Sequence, residues 1–224
     1  MYFCTHLSAP DYLADVRGVI FDCDGVMVDS MDANRMFYNL IREKLGMLSM
    51  TPEEEEYVHA HAVKECIRRI VPPERYEEAW EISRSLDYRD VIPFMRLEEG
   101  LVDFLTMLKR KGVKMGVYTN RTSTMDLLLE VFDLRHFFSV VITAGKLSHP
   151  KPNPEGVHKI LRMWGLAPRQ AAYLGDTYLD ERTARAAGIP FWAYKNPSLL
   201  ASLHAPDFDS LRECLVHILP ESVS

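Results

Sequence analysis

Between Val16 and Phe21 the chain runs Val-Arg-Gly-Val-Ile-Phe and then stops on Asp22-Cys23-Asp24-Gly25. A short apolar run cut off by two carboxylates and a glycine reads as a buried strand that delivers acids at its C-terminal end. Open parallel sheets bind ligands outside the carboxyl ends of their strands, so acids at such an end are placed for chemistry. The remaining question is whether the rest of the chain supplies such a sheet.

It does so after Gly100. Leu101, Phe104, Leu105 and Leu108 make a helix face closed by Gly112, and Val113 to Thr119 is a strand. Met125, Leu128, Leu129 and Phe132 mark a helix, and Val140 to Ile142 a short strand. Asn153-Pro154 opens a helix with Val157, Ile160, Leu161 and Trp164 on one face and Gly165 at its end. Ala171 to Leu174 is a strand, 179–187 an Ala-rich helix, Pro190 to Tyr194 a strand, and Leu211, Leu215 and Ile218 a last helix. This alternation predicts an α/β fold: a Rossmann-like, three-layer α/β/α core with a parallel sheet. Residues 31–96 break the pattern. Met36, Phe37, Leu40, Ile41 and Leu45 recur at helical spacing before Gly46, Thr51-Pro52-Glu53-Glu54 has the form of a helix start, and Pro72-Pro73 separates two further helices. The expected domains are an α/β core over 1–30 and 97–224 and an inserted small all-α unit over 31–96.

Composition sets the limits. With 224 residues and 47% apolar, the chain can bury a sizeable core, and 26% charged residues exclude global disorder. A net charge of -6 weighs against nucleic-acid binding. No apolar run approaches the roughly 20 residues that span a bilayer. Residues 1–15 read as a polar leader, and Met1 to His6 lack the basic start of a signal peptide. Cys4, Cys23, Cys66 and Cys214 are scattered with no Cys-x-x-Cys pair, so free thiols and a cytoplasmic location are expected.

The proposed strand ends converge on a specific inventory: Asp22 and Asp24, then Thr119 and Asn120, then Asp176, with Asp180 four residues on and Lys151 in the loop Ser148 to Pro154. Crowded carboxylates repel one another and call for a cation. Oxygen ligands without His or Cys favour a hard ion, and Mg2+ suits a site that also holds phosphate. The pattern does not fit a calcium loop: an EF-hand needs Gly sixth and Glu twelfth, whereas Gly25 stands fourth and Ala33 twelfth. The plainer readings are solvated loop acids at Asp22 and Asp24, an acid-rich helix start at Asp176 and Asp180, a helix cap at Asp29, and a packed thiol at Cys23.

Asp22-Cys23-Asp24-Gly25-Val26-Met27-Val28-Asp29-Ser30, Tyr118-Thr119-Asn120, Lys151-Pro152-Asn153-Pro154 and Gly175-Asp176-Thr177-Tyr178-Leu179-Asp180 occur in this order over nearly the whole chain. In that order they resemble the haloacid dehalogenase-like superfamily, in the phosphoglycolate phosphatase and β-phosphoglucomutase-like branch with a helical cap inserted after the first strand. The resemblance implies Asp22 as the nucleophile that becomes an aspartyl-phosphate and Asp24 as general acid–base. It implies Thr119 and the Asn120 amide as phosphate ligands, with Lys151 offsetting charge. It places Mg2+ on Asp22, the Asp24 carbonyl and Asp176, with Asp180 a ligand or a partner of one. The implied activity is a Mg2+-dependent phosphatase acting on a small phosphorylated metabolite, in a monomer or dimer, with neither nucleic acid nor membrane as partner. A phosphomutase is the alternative, since Val26 stands where mutases often carry Val. A non-catalytic binder of a phosphorylated ligand is a further one. In the inserted unit, His59, His61, Lys64 and Arg68 are either polar surface or the residues that select the non-reacting part of the substrate.

Overall fold

A computed structural model describes residues 10–60 and 63–219. In chain order the elements are β1 (Gly18–Phe21), β2 (Val28–Asp29), α1 (Met31–Lys44), α2 (Pro52–Ala60), α3 (Val63–Ile70), α4 (Tyr76–Ser85) and β3 (Arg96–Leu97). They continue as α5 (Leu101–Arg110), β4 (Lys114–Thr119), α6 (Met125–Val131), β5 (Val140–Thr143), α7 (Glu155–Trp164), β6 (Ala171–Gly175), α8 (Tyr178–Ala187), β7 (Phe191–Tyr194), β8 (Leu203–Ala205) and α9 (Phe208–Val216). The chain divides into two compact units, Asp29–Arg96 and the remainder.

The larger unit is built on a sheet of order β5-β4-β1-β6-β7-β8, with all its neighbours parallel. Every residue of β1 is buried, which is why its sequence is an unbroken apolar run. From β1 the chain moves outward to β4 and β5, then returns to place β6 on the other side of β1. The strand order therefore reverses at β1. Such switch points open a crevice at the strands' carboxyl ends, where the loop after β1 carries Asp22 and Asp24. Below it, Ile20, Tyr118, Val157, Ile160, Trp164 and Tyr173 pack in one apolar cluster. Gly18 and Gly116 leave room for the Trp164 ring: a Cβ on Gly18 would lie 2.6 Å from it.

The smaller unit has its own core, in which Tyr38, Ile41, Val58, Cys66, Ile67 and Ala79 pack together. Its helix starts follow local chemistry. The Thr51 hydroxyl accepts from the Glu54 amide at 3.3 Å while the Glu54 carboxylate accepts from the Thr51 amide at 2.8 Å, a reciprocal capping box. The Asp29 carboxylate accepts from the Met31 amide at 3.0 Å, a helix-start role.

Several details differ from the sequence reading. Where the chain leaves for and returns from the helices of 31–96, β2 and β3 pair as a two-stranded sheet, which the sequence reading did not expect. A further strand, β8, follows β7 as Leu203-His204-Ala205, too short and too weakly β-forming to stand out. Part of the expected leader is structural: Leu13 is fully buried and the Tyr12 hydroxyl accepts from the Trp192 indole at 2.9 Å. Residues 1–9, with Cys4, lie outside the described residues. Cys23 and Cys66 are buried free thiols, but Cys214 is disulfide-bonded, which corrects the expectation of free thiols throughout. Among the described residues no helix is long and apolar enough to cross a membrane.

The packing at Gly18 yields a prediction. Gly18→Ala drives a methyl into the Trp164 ring and the Leu166 side chain, both under 3 Å away. Overpacking of this kind costs about 1–3 kcal/mol, to be read as a lower denaturant midpoint with an unchanged m-value. A midpoint equal to that of the wild type would show that the ring shifts freely.

Candidate active site

Asp22 follows β1 directly, and its amide donates to the Leu174 carbonyl at 2.9 Å, which ties the strand end to β6. The turn after it is tight: the Met27 and Val28 amides donate to the Cys23 carbonyl at 2.8 and 3.1 Å. Gly25 sits in that turn at φ +74°, and a Cβ there would run into the Asp176 carboxylate, so this position needs glycine twice over. Cys23 between the two acids is fully buried, and burial pushes its thiol up, so it packs rather than reacts.

Lys151 is the hub. Its ammonium lies 2.8 Å from Asp22 and 2.7 Å from Asp180, with a side chain 3% exposed. The rings of Tyr118 and Tyr173 stand 6.0 and 5.9 Å from it. The Asn120 side chain brackets the Lys151 backbone, accepting from its amide at 3.0 Å and donating to its carbonyl at 3.5 Å. Thr119 is buried beside it, its hydroxyl accepting from the Arg121 amide at 3.1 Å. Asp180 is held from both ends. One oxygen accepts from Lys151 and from the Tyr173 hydroxyl at 3.1 Å, the other from the Thr177 amide and hydroxyl at 3.1 and 2.5 Å. The Thr177 hydroxyl in turn accepts from the Asp180 amide at 3.3 Å, so Asp180 is also part of a helix cap.

Asp176 is different. Its Oδ1 is buried with no hydrogen-bond partner among the described residues. Carboxylate oxygens of Asp22, Asp176 and Asp180 lie within 4.8 Å of one another. An orphaned buried oxygen in a carboxylate cluster fits a hard divalent cation. Because donors already saturate Asp180, the better-placed side-chain ligands are Asp22 and Asp176.

The sequence reading missed some residues of the site. Arg121 donates to both oxygens of Asp24, from Nε at 2.8 Å and from Nη2 at 2.5 Å. Asn196 donates to the Asp176 carbonyl at 2.8 Å. Tyr173 and Thr177 orient Asp180. Arg121 follows Thr119-Asn120 directly, and that adjacency was its only signal. Lys64 stands 5.2 Å over the Trp80 ring and Arg68 5.0 Å over Tyr76, so each has a partner within its own unit. His59 lies on α2, but its side chain and the whole of His61 fall outside the described residues.

Residues 19–194 match the family model for haloacid dehalogenase-like hydrolases. A phosphoglycolate phosphatase from Shigella boydii is 30% identical over 206 residues, covering 79% of this chain and 80% of that one. One from Escherichia coli is 27% identical over 201 residues, again with 79% and 80% coverage. The crystal structure of a subfamily IA, variant 1 hydrolase of the same superfamily from Geobacter sulfurreducens shares 38% identity, with a TM-score of 0.82 over 90% of this chain and 97% of that one. The chain belongs to the haloacid dehalogenase-like hydrolases. Within them it falls in the phosphoglycolate phosphatase-like branch, and it is a phosphatase.

The electrostatics of the phosphatase site are those of an anion excess. Burial, and next the charge of Asp180, push Asp22 up to about 8 against the opposing pull of Lys151. The same two causes push Asp176 up to about 7. Burial works against the Lys151 ammonium, but Asp180 and Asp22 outweigh it and hold the group well above the ordinary lysine range. Both acids have an ordinary value of 3.8, so over the interval up to about 7 or 8 the folded metal-free protein binds more protons than the unfolded chain. Stability then falls as pH rises through that window. The expected result is a metal-free melting temperature that drops from pH 5 to pH 8, a drop that Asp176→Asn reduces and added Mg2+ reverses. A metal-free profile that rises over this range would contradict the crowding.

Proposed function

We propose that this phosphatase hydrolyses a small phosphorylated metabolite through a covalent phosphoryl group on Asp22, with a divalent cation of the Mg2+ kind. The observation that carries the reading is the Asp22 carboxylate. It is buried at the end of the central strand, 2.8 Å from the Lys151 ammonium and beside the unpartnered Asp176 oxygen. Asp22 and Asp176, with the Asp24 backbone carbonyl, are the groups that would hold the cation. When bound, it supplies positive charge between an anionic nucleophile and an anionic substrate.

The remaining steps belong to the chain's own residues. An Asp22 oxygen attacks phosphorus and the ester P–O bond breaks, while Asp24 gives a proton to the leaving oxygen. Lys151, Thr119 and the Asn120 amide balance the charge on the phosphoryl oxygens, and they are preorganised because the clamps described above fix them beforehand. Asp24, now ionised, takes a proton from water as the water attacks phosphorus. The Asp22–phosphorus bond breaks and orthophosphate leaves. The phosphoglycolate phosphatases among the relatives favour a small anionic ester, such as phosphoglycolate or a sugar phosphate, as substrate. In the inserted unit, Lys64 and Arg68, with His59 and His61, are the cationic and polar residues proposed to recognise its non-reacting part.

The test is a panel of phosphorylated metabolites with Mg2+, with chelator as control, scored by phosphate release. Glucose 1-phosphate with a bisphosphate primer belongs in the panel, because isomerisation without phosphate release would replace hydrolysis by mutase chemistry. Asp22→Asn is expected to lower kcat by about 10³-fold or more while the protein stays folded by circular dichroism. A variant retaining a tenth of the activity would sink the covalent route. Lys64→Ala is expected to change kcat/KM for phosphoglycolate relative to p-nitrophenyl phosphate by about 10-fold, the scale of one lost polar contact. Equal loss on both esters would remove Lys64 from substrate selection.

A further inference from the structure

We propose that Arg121 is a positioning residue that fixes the plane and reach of the Asp24 carboxylate, an inference resting on the acid–base role proposed for Asp24. The two residues follow adjacent parallel strands, β1 and β4, whose register sets Phe21 against Val117 and so brings the turns after them together. Nε of Arg121 donates to one oxygen of Asp24 at 2.8 Å, and Nη2 donates to the other. The exposures are unequal: the Arg121 side chain is 8% exposed and that of Asp24 41%. The buried partner is the fixed one. The Arg121 amide donates to the Thr119 hydroxyl at 3.1 Å, its carbonyl accepts from Ala144 at 3.0 Å, and Nη1 donates to the Thr124 hydroxyl at 3.2 Å. An arginine anchored at backbone and side chain presents a rigid fork.

A half-exposed aspartate on a turn has two free torsions. Two parallel N–H···O bonds to a planar guanidinium remove both, which a single bond to a point charge does not. The fork uses one lone pair on each oxygen and leaves the outer ones directed away from Arg121. Proton transfer to a leaving oxygen and later from water depends on where those outer lone pairs point. A misplacement of about 1 Å can cost about 10²-fold in rate.

The experiment is a double-mutant cycle with full-length, Mg2+-loaded protein, using phosphoglycolate and p-nitrophenyl phosphate as probes. Arg121→Ala is expected to lower kcat about 10–10²-fold with KM changed less than about 3-fold. Arg121→Lys keeps the charge and loses the fork, so it is expected to recover only a minor part of that loss. In an Asp24→Asn background, assayed at enzyme concentrations that resolve the residual rate, either Arg121 variant is expected to cost less than about 2-fold more, because the group it positions is already gone. Equal losses in both backgrounds, or a raised KM with kcat preserved, would overturn the proposal and make Arg121 a direct substrate ligand or a fold residue. Where Arg121→Ala does not fold, Arg121→Lys carries the same cycle. Turnover by the wild type on neither the two probes nor the wider panel overturns the phosphatase mechanism and this inference with it. Wild-type turnover with additive losses overturns this inference alone.

Discussion

The ammonium of Lys151 sits between Asp22 and Asp180, and the site depends on that contact. A lone ammonium with a side chain 3% exposed would cost several kcal/mol in lost hydration. Two carboxylates at 2.7 and 2.8 Å offset that cost, and two tyrosine rings near 6 Å add a weaker attraction. The contact exists only if three separate pieces of chain are in register. β1 must deliver Asp22, the start of α8 must deliver Asp180, and the loop before α7 must deliver Lys151. Asn120, at the end of β4, then locks the lysine backbone from both sides. Removing either carboxylate leaves a buried charge short of a partner, so fold and site stabilise each other.

One ammonium does not neutralise the carboxylates gathered around it. Asp180 has donors for both oxygens, and Asp22 has Lys151 on one, but Asp176 Oδ1 has none among the described residues. Gly25 brings the turn after β1 so close to Asp176 that no side chain fits between them. The packing thus buries these carboxylates close together; burial first, and then the charge of Asp180, pushes Asp22 and Asp176 up, so full ionisation of the site is unfavourable. A bound cation would relieve this, whereas an anionic phosphoryl group would add to it unless such a cation and Lys151 offset its charge.

How much of this was legible in the sequence depended on whether the signal was local. The alternation after Gly100 was readable because parallel strands are buried on both faces and appear as continuous apolar runs, and because Gly112 and Gly165 take positive φ just beyond their helices. The acids at strand ends were readable because a carboxylate after an apolar run has few other reasons to be there. The three-residue β8 was not, since Leu203-His204-Ala205 forms a strand only by pairing with β7. Arg121 was not, because its partner lies 97 residues away and their meeting depends on the β1–β4 register. Lys64 and Arg68 looked like free cations in sequence. Their stacking over Trp80 and Tyr76 is a product of how α3 packs on α4, which no spacing rule along one helix reports.

Asp22 and Asp24 stand two residues apart in one turn, yet the fold gives them opposite surroundings. Asp22 is buried and gripped by an ammonium that also holds Asp180. Asp24 is 41% exposed and gripped by a guanidinium fork at its back. A nucleophile benefits from the first arrangement: stripped of water, it needs no solvent reorganisation before attack, and Lys151 keeps it oriented. A group that must hand a proton to one molecule and take one from another benefits from the second, since it has to reach solvent and still return to a defined position. Exchanging the two environments would bury the proposed proton carrier and hydrate the proposed nucleophile, harming both steps. The division of labour proposed for two identical side chains thus has a physical basis in their neighbours, Lys151 on one side and Arg121 on the other.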